Sequence, residues 1–297
     1  MKRTIALVLA ALLLAFCMAG CAGKPASSAS PGTLETPAPA TAAPETAAPE
    51  TDAPATAEPE APARTLTVGF DAEFPPFGFI ADDGSYDGFD LAMAQEVCSR
   101  LGWTFVAQPI AWDFKDAELS SGNIDCIWNG FTYEGREDAY SWTPAYYDNS
   151  VVLVVKADSD IHTLADLAGK NVITQADSSA LHALEGNEAL SSSFNELLES
   201  ADFNSCFLEL GMGTADAVAA DVGVANYNMA GKESEYRVLE EIVSSETYGI
   251  GFLLGNDALA AEVWAAVQEI AADGTMGTIA DRYVAYGLVK ESLCLIN

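Results

Sequence analysis

Between residues 64 and 128 the sequence alternates between strand-like and helix-like segments, and this alternation restricts the fold more than any other feature. Residues 64–70 and 104–107 have strand-like patterns, and 124–128 form a third, mostly apolar segment. A helix with Asp90 as its N-cap is predicted after the first strand, and a shorter helix after the second. Strands that alternate with helices pair in parallel through right-handed crossovers. The sequence therefore predicts an α/β fold built on a parallel sheet.

A polar segment follows the third strand at the place where open α/β sheets bind small molecules. Asn129, Gly130 and Thr132 lie just beyond the predicted carboxyl end of that strand, and all three can present hydrogen-bonding groups to a ligand. The segment ends at Arg136, whose planar guanidinium can hold a carboxylate through two parallel hydrogen bonds. We therefore expect a binding site for a small, carboxylate-bearing molecule.

The charge balance makes Arg136 stand out. The 297 residues include 13 Lys and Arg against 44 Asp and Glu, a net charge of -31. So acidic a chain lacks the basic patch that nucleic acid or an anionic membrane surface would require. The alternative for Arg136 is a solvated side chain paired with Glu134 or Asp138.

Three more candidates are predicted at the same edge of the sheet. Asp71 and Phe74 follow the first strand, in a loop held extended by two prolines, and Trp112 begins the second helix. The alternatives are a turn residue for Asp71 and core packing for the two aromatic residues.

A second α/β unit is predicted after the apolar strand at 151–156. A strand at 171–174 leads through Gln175 and Asp177 to Ser178 and Ser179, where the first turn of a helix offers an anion site. The strand at 215–221 ends in Asp221, which could instead cap the helix that follows it. An apolar strand at 248–254 and helices at about 257–272 and 275–286 complete the chain.

The cysteines and histidines do not indicate a metal or catalytic centre. Cys98, Cys126, Cys206 and Cys294 form no CxxC pair, and no histidine accompanies them. Disulfide pairing among the four stays open. No nucleophile–base set, metal-ligand cluster or phosphate-binding loop is present, so we expect no catalytic residue, metal or cofactor.

The first 20 residues have the features of a secretory signal peptide. Lys2 and Arg3 precede an apolar segment that is too short to span a bilayer comfortably. Met18-Ala19-Gly20-Cys21 resembles a bacterial lipobox, which implies cleavage before Cys21 and lipidation of its thiol. Cleavage as an ordinary secreted protein is the alternative.

Residues 21–63 are predicted to be a disordered tether. They are rich in Ala, Pro, Thr and Glu and contain nine of the thirteen prolines. Such a segment cannot build a core and stays extended and solvated.

Eight motifs, in order, resemble the polar amino-acid family of substrate-binding proteins of ABC importers. The resemblance covers residues 64 to about 290 and rests on Asp71-x-x-Phe-Pro-Pro-Phe, Gly88-Phe-Asp-Leu, Ile124-Asp-Cys-Ile-Trp-Asn-Gly-Phe-Thr, Thr163-Leu-Ala-Asp-Leu-Ala-Gly-Lys, Gln175-Ala-Asp-Ser-Ser, Ala215-Asp-Ala-Val, Tyr248-Gly-Ile-Gly-Phe and Ala272-Asp-Gly-Thr.

The resemblance implies a two-lobed, type II periplasmic-binding-protein-like fold with a ligand cleft between the lobes. Lobe 1 would comprise 64–152 and 252–297, and lobe 2 would comprise 153–251. Hinge strands at 152–155 and 250–253 would join them.

The resemblance also implies a role for each candidate. Arg136, with Ser178 and Ser179, would hold the ligand α-carboxylate. Asp221, with Thr132 and the Gly130 carbonyl, would hold the α-ammonium. Phe74 and Trp112 would pack on the ligand side chain, and its variable part would face four polar residues: Asp71, Asn129, Gln175 and Asp177.

Two departures from the family pattern bear on these roles. The segment from Thr132 to Arg136 is one residue shorter than the pattern, which affects where Arg136 lies. Asp177 stands where glycine is usual. Its charge would repel a ligand carboxylate unless it points to a cationic or amide group.

The resulting hypothesis is an extracytoplasmic, lipid-anchored, monomeric receptor that closes on an L-amino acid and delivers it to an ABC permease. The acidic residues near the side-chain end favour a polar, amide or cationic ligand. One alternative is a cyclohexadienyl-dehydratase-like enzyme with Asp71 or Asp177 as general acid. Another is an amino-acid sensor.

Overall fold

The structure is a computed structural model that describes residues 64–296. The predicted signal peptide, the lipidation site at Cys21 and the tether lie outside the described residues. No helix among the described residues is long and apolar enough to cross a membrane.

The first part of the chain forms seven strands and two helices. The strands are β1 (Thr65–Phe70), β2 (Glu73–Phe74), β3 (Gly78–Ile80), β4 (Tyr86–Asp87), β5 (Thr104–Pro109), β6 (Cys126–Thr132) and β7 (Tyr140–Trp142). The helices are α1 (Phe89–Leu101) and α2 (Lys115–Ser121), the latter preceded by a 3-10 turn at Trp112–Phe114. Strand β1 pairs in parallel with β5 and β6, which confirms the parallel pairing predicted for this part of the chain.

The rest of the chain adds six strands and six helices. The strands are β8 (Tyr147–Lys156), β9 (Asn171–Gln175), β10 (Glu196–Ser200), β11 (Ala217–Asp221), β12 (Tyr236–Val238) and β13 (Ser244–Leu253). The helices are α3 (Ser179–Gly186), α4 (Glu188–Ser191), α5 (Phe203–Met212), α6 (Val222–Met229), α7 (Asp257–Ala272) and α8 (Thr275–Asp281). Short 3-10 turns lie at Leu164–Leu167, Val284–Tyr286 and Lys290–Ser292.

Ten strands form one sheet in which β8 and β13 are the central, antiparallel pair. The main order is β10-β9-β11-β8-β13-β6-β1-β5, with β12 added to β8 and β7 added to β13. The β2, β3 and β4 strands form a separate small sheet. Each central strand changes its neighbour along its length: β8 pairs with β13 up to Val151 and with β11 from Val151 onward, and β13 pairs with β6 from Tyr248 onward.

This exchange of partners lies a few residues before the hinge positions expected in both strands. The division into lobes at 152 and 252 stays a prediction.

Strand β8 is apolar in its second half because both faces of the sheet are covered there. Val151, Leu153 and Val155 pack into one cluster of buried residues, and Val152 and Val154 pack into another on the opposite face. A strand buried on both faces has a continuous apolar sequence rather than an alternating one. The same alternation between clusters occurs in β11.

Helix α1 begins two residues earlier than the predicted cap requires. Its N-cap is Gly88, and the Phe89 and Asp90 N–H groups donate to the carbonyls of Pro76 and Phe77. These bonds satisfy the free donors at the start of the helix. The prediction that Asp90 caps this helix is therefore wrong; Asp90 lies in the first turn with its side chain fully buried.

We expect Gly88→Ala to destabilise the protein far more than Gly122→Ala. Both glycines have a positive φ, but a Cβ at Gly88 would lie 2.2 Å from the Phe77 carbonyl oxygen, whereas at Gly122 nothing lies within 4 Å. Gly122→Ala should cost about 1–2 kcal/mol from backbone conformation alone. Gly88→Ala should cost about 3 kcal/mol or more because the loop must also move. Denaturant unfolding of both variants measures the difference, and equal midpoints would contradict the close approach.

Candidate functional site

One cleft brings together ten of the twelve residues predicted from the sequence. It contains about 270 Å³ of space, part of which is open to solvent, and both halves of the sheet contribute to it. Its lining consists of Phe74, Trp112, Asn129, Gly130, Thr132, Arg136, Gln175, Ser178, Ser179, Phe203 and Asp221. Phe203 was missed by the sequence analysis; Asp71 and Asp177 lie just outside the lining.

The end of β6 supplies three of these residues from within a strand rather than from a turn. The strand continues to Thr132 because Phe131 and Thr132 pair with Gly249 and Tyr248 of β13. The prediction that β6 ends at Trp128 is therefore wrong. Gly130 is required at its position: its φ is +55°, and a Cβ there would lie 2.7 Å from the ring of Phe74.

Asp90 supports this part of the cleft from beneath. Its Oδ2 accepts a 2.6 Å hydrogen bond from the Gly130 N–H and a 2.7 Å bond from the Tyr146 hydroxyl. The carboxyl group is fully buried, and burial raises its pKa to about 7. Asp90 thus fixes the peptide unit that turns the Gly130 backbone into the cleft.

Arg136 faces the cleft without a carboxylate partner in the described part of the chain. Its Nη1 donates to the Thr132 carbonyl at 3.2 Å and its Nη2 to the Asp177 carbonyl at 3.3 Å. The guanidinium carbon lies 5.1 Å from the centre of the Phe131 ring. Glu134, one of the two expected surface partners, instead accepts hydrogen bonds from Thr247. A guanidinium with only carbonyl acceptors retains the capacity to bind an anion.

The carboxylate of Asp177 is paired with a cation and does not line the cleft. It forms an ion pair with Lys115, whose side chain is 2% exposed and lies over the Trp112 ring. His182 is a second neighbour, with Nε2 at 3.5 Å. Asp177 is the one non-glycine residue with a positive φ within residues 64–296. That conformation gives a physical reason why glycine is usual here.

The peptide carbonyl of Asp177 also ties the two halves of the sheet together. It accepts hydrogen bonds from the Trp112 Nε1 and from Arg136. Lys115, Trp112 and Arg136 come from the first half and Asp177 from the second. Lys115 was not predicted, because a lysine in a helical first turn has no feature that distinguishes it from a surface residue.

A polar network forms one end of the cleft. The Gln175 Nε2 donates to Asp71 Oδ2 at 2.6 Å, and the Asp71 N–H donates to Asn129 Oδ1 at 3.0 Å. Burial raises the pKa of Asp71, and the charge of Asp202 adds to the effect. The Asn129 Nδ2 is buried and has no hydrogen-bond partner among the described residues. This Nδ2 lies beside Gly78, where a Cβ would come within 2.6 Å of it.

The serines of the anion site are both engaged within the protein. Ser178 caps α3: its Oγ accepts from the Leu181 N–H and donates to the Gln175 carbonyl. The Ser179 hydroxyl donates to Glu246 Oε1 at 3.1 Å. The free N–H groups at the start of α3 remain the anion-binding feature of this corner.

Asp221 is paired with a second carboxyl group that the sequence analysis missed. Asp221 is 2% exposed and occupies the N-cap position of α6, but its side chain makes no capping bond. Instead it accepts hydrogen bonds from the Tyr248 hydroxyl and from Asn149 Nδ2. The same Nδ2 donates to Oε1 of Glu246, which is 6% exposed. Glu246 and Asn149 lie in the polar first halves of β13 and β8, where no strand was predicted.

Comparison with known proteins identifies the chain. Residues 66–286 match the family model of bacterial extracellular solute-binding proteins, family 3. The chain belongs to this family.

Curated relatives and solved structures agree with this membership. The L-cystine-binding protein TcyJ of Escherichia coli (strain K12) is 27% identical over 240 residues, which cover 76% of this chain and 85% of that protein. ABC transporter arginine-binding protein 1 of the same strain is 25% identical, covering 74% and 91%. A substrate-binding protein of an ABC uptake transporter from Streptococcus pneumoniae, solved with bound histidine, is 32% identical, with a TM-score of 0.72 and coverage of 76% and 94%.

The type II periplasmic-binding-protein fold predicted for this family 3 protein is therefore confirmed. Each individual ligand role predicted for its residues stays a prediction. All four cysteines of the described part are free, three of them buried and Cys294 exposed.

For this family 3 protein we expect stability to fall as the pH rises from about 4 to about 7, partly because of Asp90. Its pKa is about 7 in the folded protein against 3.8 ordinarily. Between these two pKa values, the folded state holds a proton that the unfolded state has released. The stabilisation that is present below pH 3.8 is therefore lost progressively as the pH rises to about 7. Each such proton contributes a slope of roughly 1.4 kcal/mol per pH unit.

Asp90→Asn isolates this contribution because the amide has no proton to lose. Denaturant unfolding across that pH range should give a shallower slope for the variant, by up to roughly 1.4 kcal/mol per pH unit. Parallel curves for the two proteins would show that Asp90 does not hold the proton.

Proposed function

We propose that this family 3 protein is the substrate-binding component of an ABC importer and that its cleft binds an L-amino acid. The observation that carries the proposal is that one cleft is lined by the guanidinium of Arg136 and the carboxyl group of Asp221. A zwitterion requires one fixed cation and one fixed anion, and each charge-assisted hydrogen bond contributes roughly 1.5–3 kcal/mol.

The proposed roles follow the chemistry of each wall. Arg136 and the first turn of α3 at Ser178 and Ser179 bind the α-carboxylate. Asp221, Thr132 and the Gly130 carbonyl bind the α-ammonium. The aromatic rings of Phe74, Trp112 and Phe203 pack on the aliphatic part of the ligand. All of these residues line the cleft.

The ligand side chain is proposed to be polar, amide-bearing or cationic. It would face Asp71 and Gln175, which are hydrogen-bonded to each other, and Asn129, which lines the cleft. The names of relatives that bind cystine, arginine and histidine support this class.

Closure of the two halves around the ligand is proposed as the binding motion. The contacts of Lys115 and Trp112 with Asp177, and of Asp71 with Gln175, join the halves across the cleft. A ligand that contacts both halves favours the closed state by the free energy of those additional contacts. The strands β8 and β13 are the proposed hinge.

The remaining parts of the proposal concern the setting of the protein. We place it outside the cytoplasm as a monomer, anchored through a lipid on Cys21 and handing its ligand to a permease. It carries out no chemistry of its own. A cyclohexadienyl-dehydratase-like activity would need Asp71 or Asp177 as an acid facing the substrate. Asp71 instead accepts a hydrogen bond from Gln175, and Asp177 is paired with Lys115.

Calorimetric titration of the purified protein against the common L-amino acids tests the proposal. The protein is first unfolded and refolded to remove carried ligand. We expect one or a few amino acids to bind, and Arg136→Ala to weaken binding by roughly 2–5 kcal/mol because it leaves the α-carboxylate unpaired. Arg282→Ala, which removes an exposed arginine outside the cleft, is the matched control and should bind as the unchanged protein does. If no amino acid binds, the proposal is wrong.

Binding of the α-amide of the same amino acid distinguishes loss of the Arg136–carboxylate contact from general damage to the site. The unchanged protein should strongly prefer the acid to its amide, and Arg136→Ala should bind the two about equally, because their difference lies at the group that Arg136 contacts. If Arg136→Ala still prefers the acid to the amide as strongly as the unchanged protein does, another residue binds the α-carboxylate.

A further inference from the structure

Two buried carboxyl groups share a hydrogen-bond donor beside the cleft, and neither forms an ion pair within residues 64–296. Asp221 lines the cleft, and Glu246 lies behind the lining residues Thr132 and Ser179. Asn149 Nδ2 is 2.5 Å from Asp221 Oδ1 and 2.8 Å from Glu246 Oε1. One amide group therefore serves both carboxyl groups. Both are almost wholly shielded from water.

The groups around the pair are uncharged hydrogen-bond donors or further acids. Thr132 and Ser179 donate to Glu246 at 3.0 and 3.1 Å, and the Tyr248 hydroxyl donates to Asp221. The ring of Tyr147, from β8, stacks on Tyr248.

Charged residues near the pair do not neutralise it. Glu134 and Asp148 border the surface groove on the outer side of Glu246 and add negative charge. Arg136 lines the same cleft, but both of its terminal nitrogens donate to backbone carbonyls. Two buried negative charges without a cation are strongly unfavourable, and such a pair relieves the repulsion by keeping a proton.

We propose that Asp221 and Glu246 share one proton in the ligand-free protein and that the ammonium group of a bound amino acid replaces it. This inference rests on the proposed function, because it needs an ammonium group to enter beside Asp221. The Glu246 O–H bond breaks, the proton passes to solvent, and the ammonium provides the positive charge in its place. The site carries a net charge of about -1 before and after the exchange.

The electrostatics of the free site agree with this assignment. Burial, followed by the charge of Asp221, raises the pKa of Glu246 to about 8, and burial raises the pKa of Asp221. The pair therefore holds its proton at neutral pH. A bound cation lowers the pKa of Glu246, so affinity for an amino acid should rise with pH, by up to about tenfold per pH unit, and level off near pH 8.

Glu246 thus acts as a second acid of the ammonium subsite, and it makes the site selective for charge. An analogue that lacks the α-ammonium cannot replace the proton. Its binding should therefore release none.

Carbon-13 NMR of protein with labelled Glu and Asp side chains tests the proton directly, without ligand. The Glu246 carboxyl carbon, assigned by its absence from Glu246→Gln, should titrate far above the ordinary range. Asp221→Asn should lower that pKa because the neighbouring charge is gone. A Glu246 carboxyl that is ionised from about pH 5 upward would overturn the proposal.

Calorimetry counts the protons released on binding. The tightest-binding amino acid of the panel is titrated near neutral pH in phosphate and in Tris, which differ in ionisation enthalpy. About one proton should be released per ligand by the unchanged protein and close to none by Glu246→Gln, whose affinity should also lose most of its pH dependence.

The outcomes separate this inference from the proposed function. Binding without proton release, or equal release by Glu246→Gln, overturns the shared proton and leaves the importer role intact. A complete absence of amino-acid binding overturns both the proposed function and the exchange, while NMR still decides whether the free pair holds a proton.

Discussion

The antiparallel pairing of β8 with β13 is the constraint on which the rest of this structure depends. These two strands are the centre of the ten-stranded sheet, and each pairs with its partner over one half and with a different neighbour over the other. The first halves of both strands are polar, yet Asn149 and Glu246 within them are buried. Asn149 of β8 and Tyr248 of β13 both donate to Asp221, which lines the cleft. The strands that connect the two halves therefore also hold a candidate ligand-binding residue in place.

Cations are scarce in this chain, and the cleft uses two of them for different purposes. Lys115 is buried against Asp177 and neutralises a carboxylate that would otherwise oppose an anionic ligand. Arg136 donates only to carbonyls and keeps its charge available. Asp221 and Glu246 have no such partner among the described residues, which leaves their end of the cleft suited to a cation. The two ends of the cleft therefore differ in charge because Asp177 is neutralised by a lysine whereas Asp221 and Glu246 are not.

Much of this arrangement could be predicted from the sequence because it depends on local patterns. The parallel strands, helix α7 and ten lining residues follow from periodicity and motif order. Glu246 and Asn149 were not predicted because strands were predicted from apolar segments. The polar halves of β8 and β13 become strands only by pairing with each other. The alternating burial of Tyr147, Asn149 and Val151 reflects a period of two that the sequence carries only weakly. Phe203 and Lys115 depend on tertiary contacts that no local pattern encodes.

The last part of the chain packs against the first half of the sheet, and this affects the order in which the protein can fold. Helix α7 packs against α1, Arg100 of α1 is paired with Asp273 at 2.8 Å, and β6 has β13 as its neighbour. The first half of the sheet thus lacks a strand and a covering helix until the final segment of the chain has been synthesised. The second half, from β9 to β12, is continuous in sequence and has its parallel strands available much earlier. During synthesis, β6 and the first half of β8 therefore lack their common neighbour β13 until most of the chain has been made, so the connection between the two halves that carries the cleft forms late.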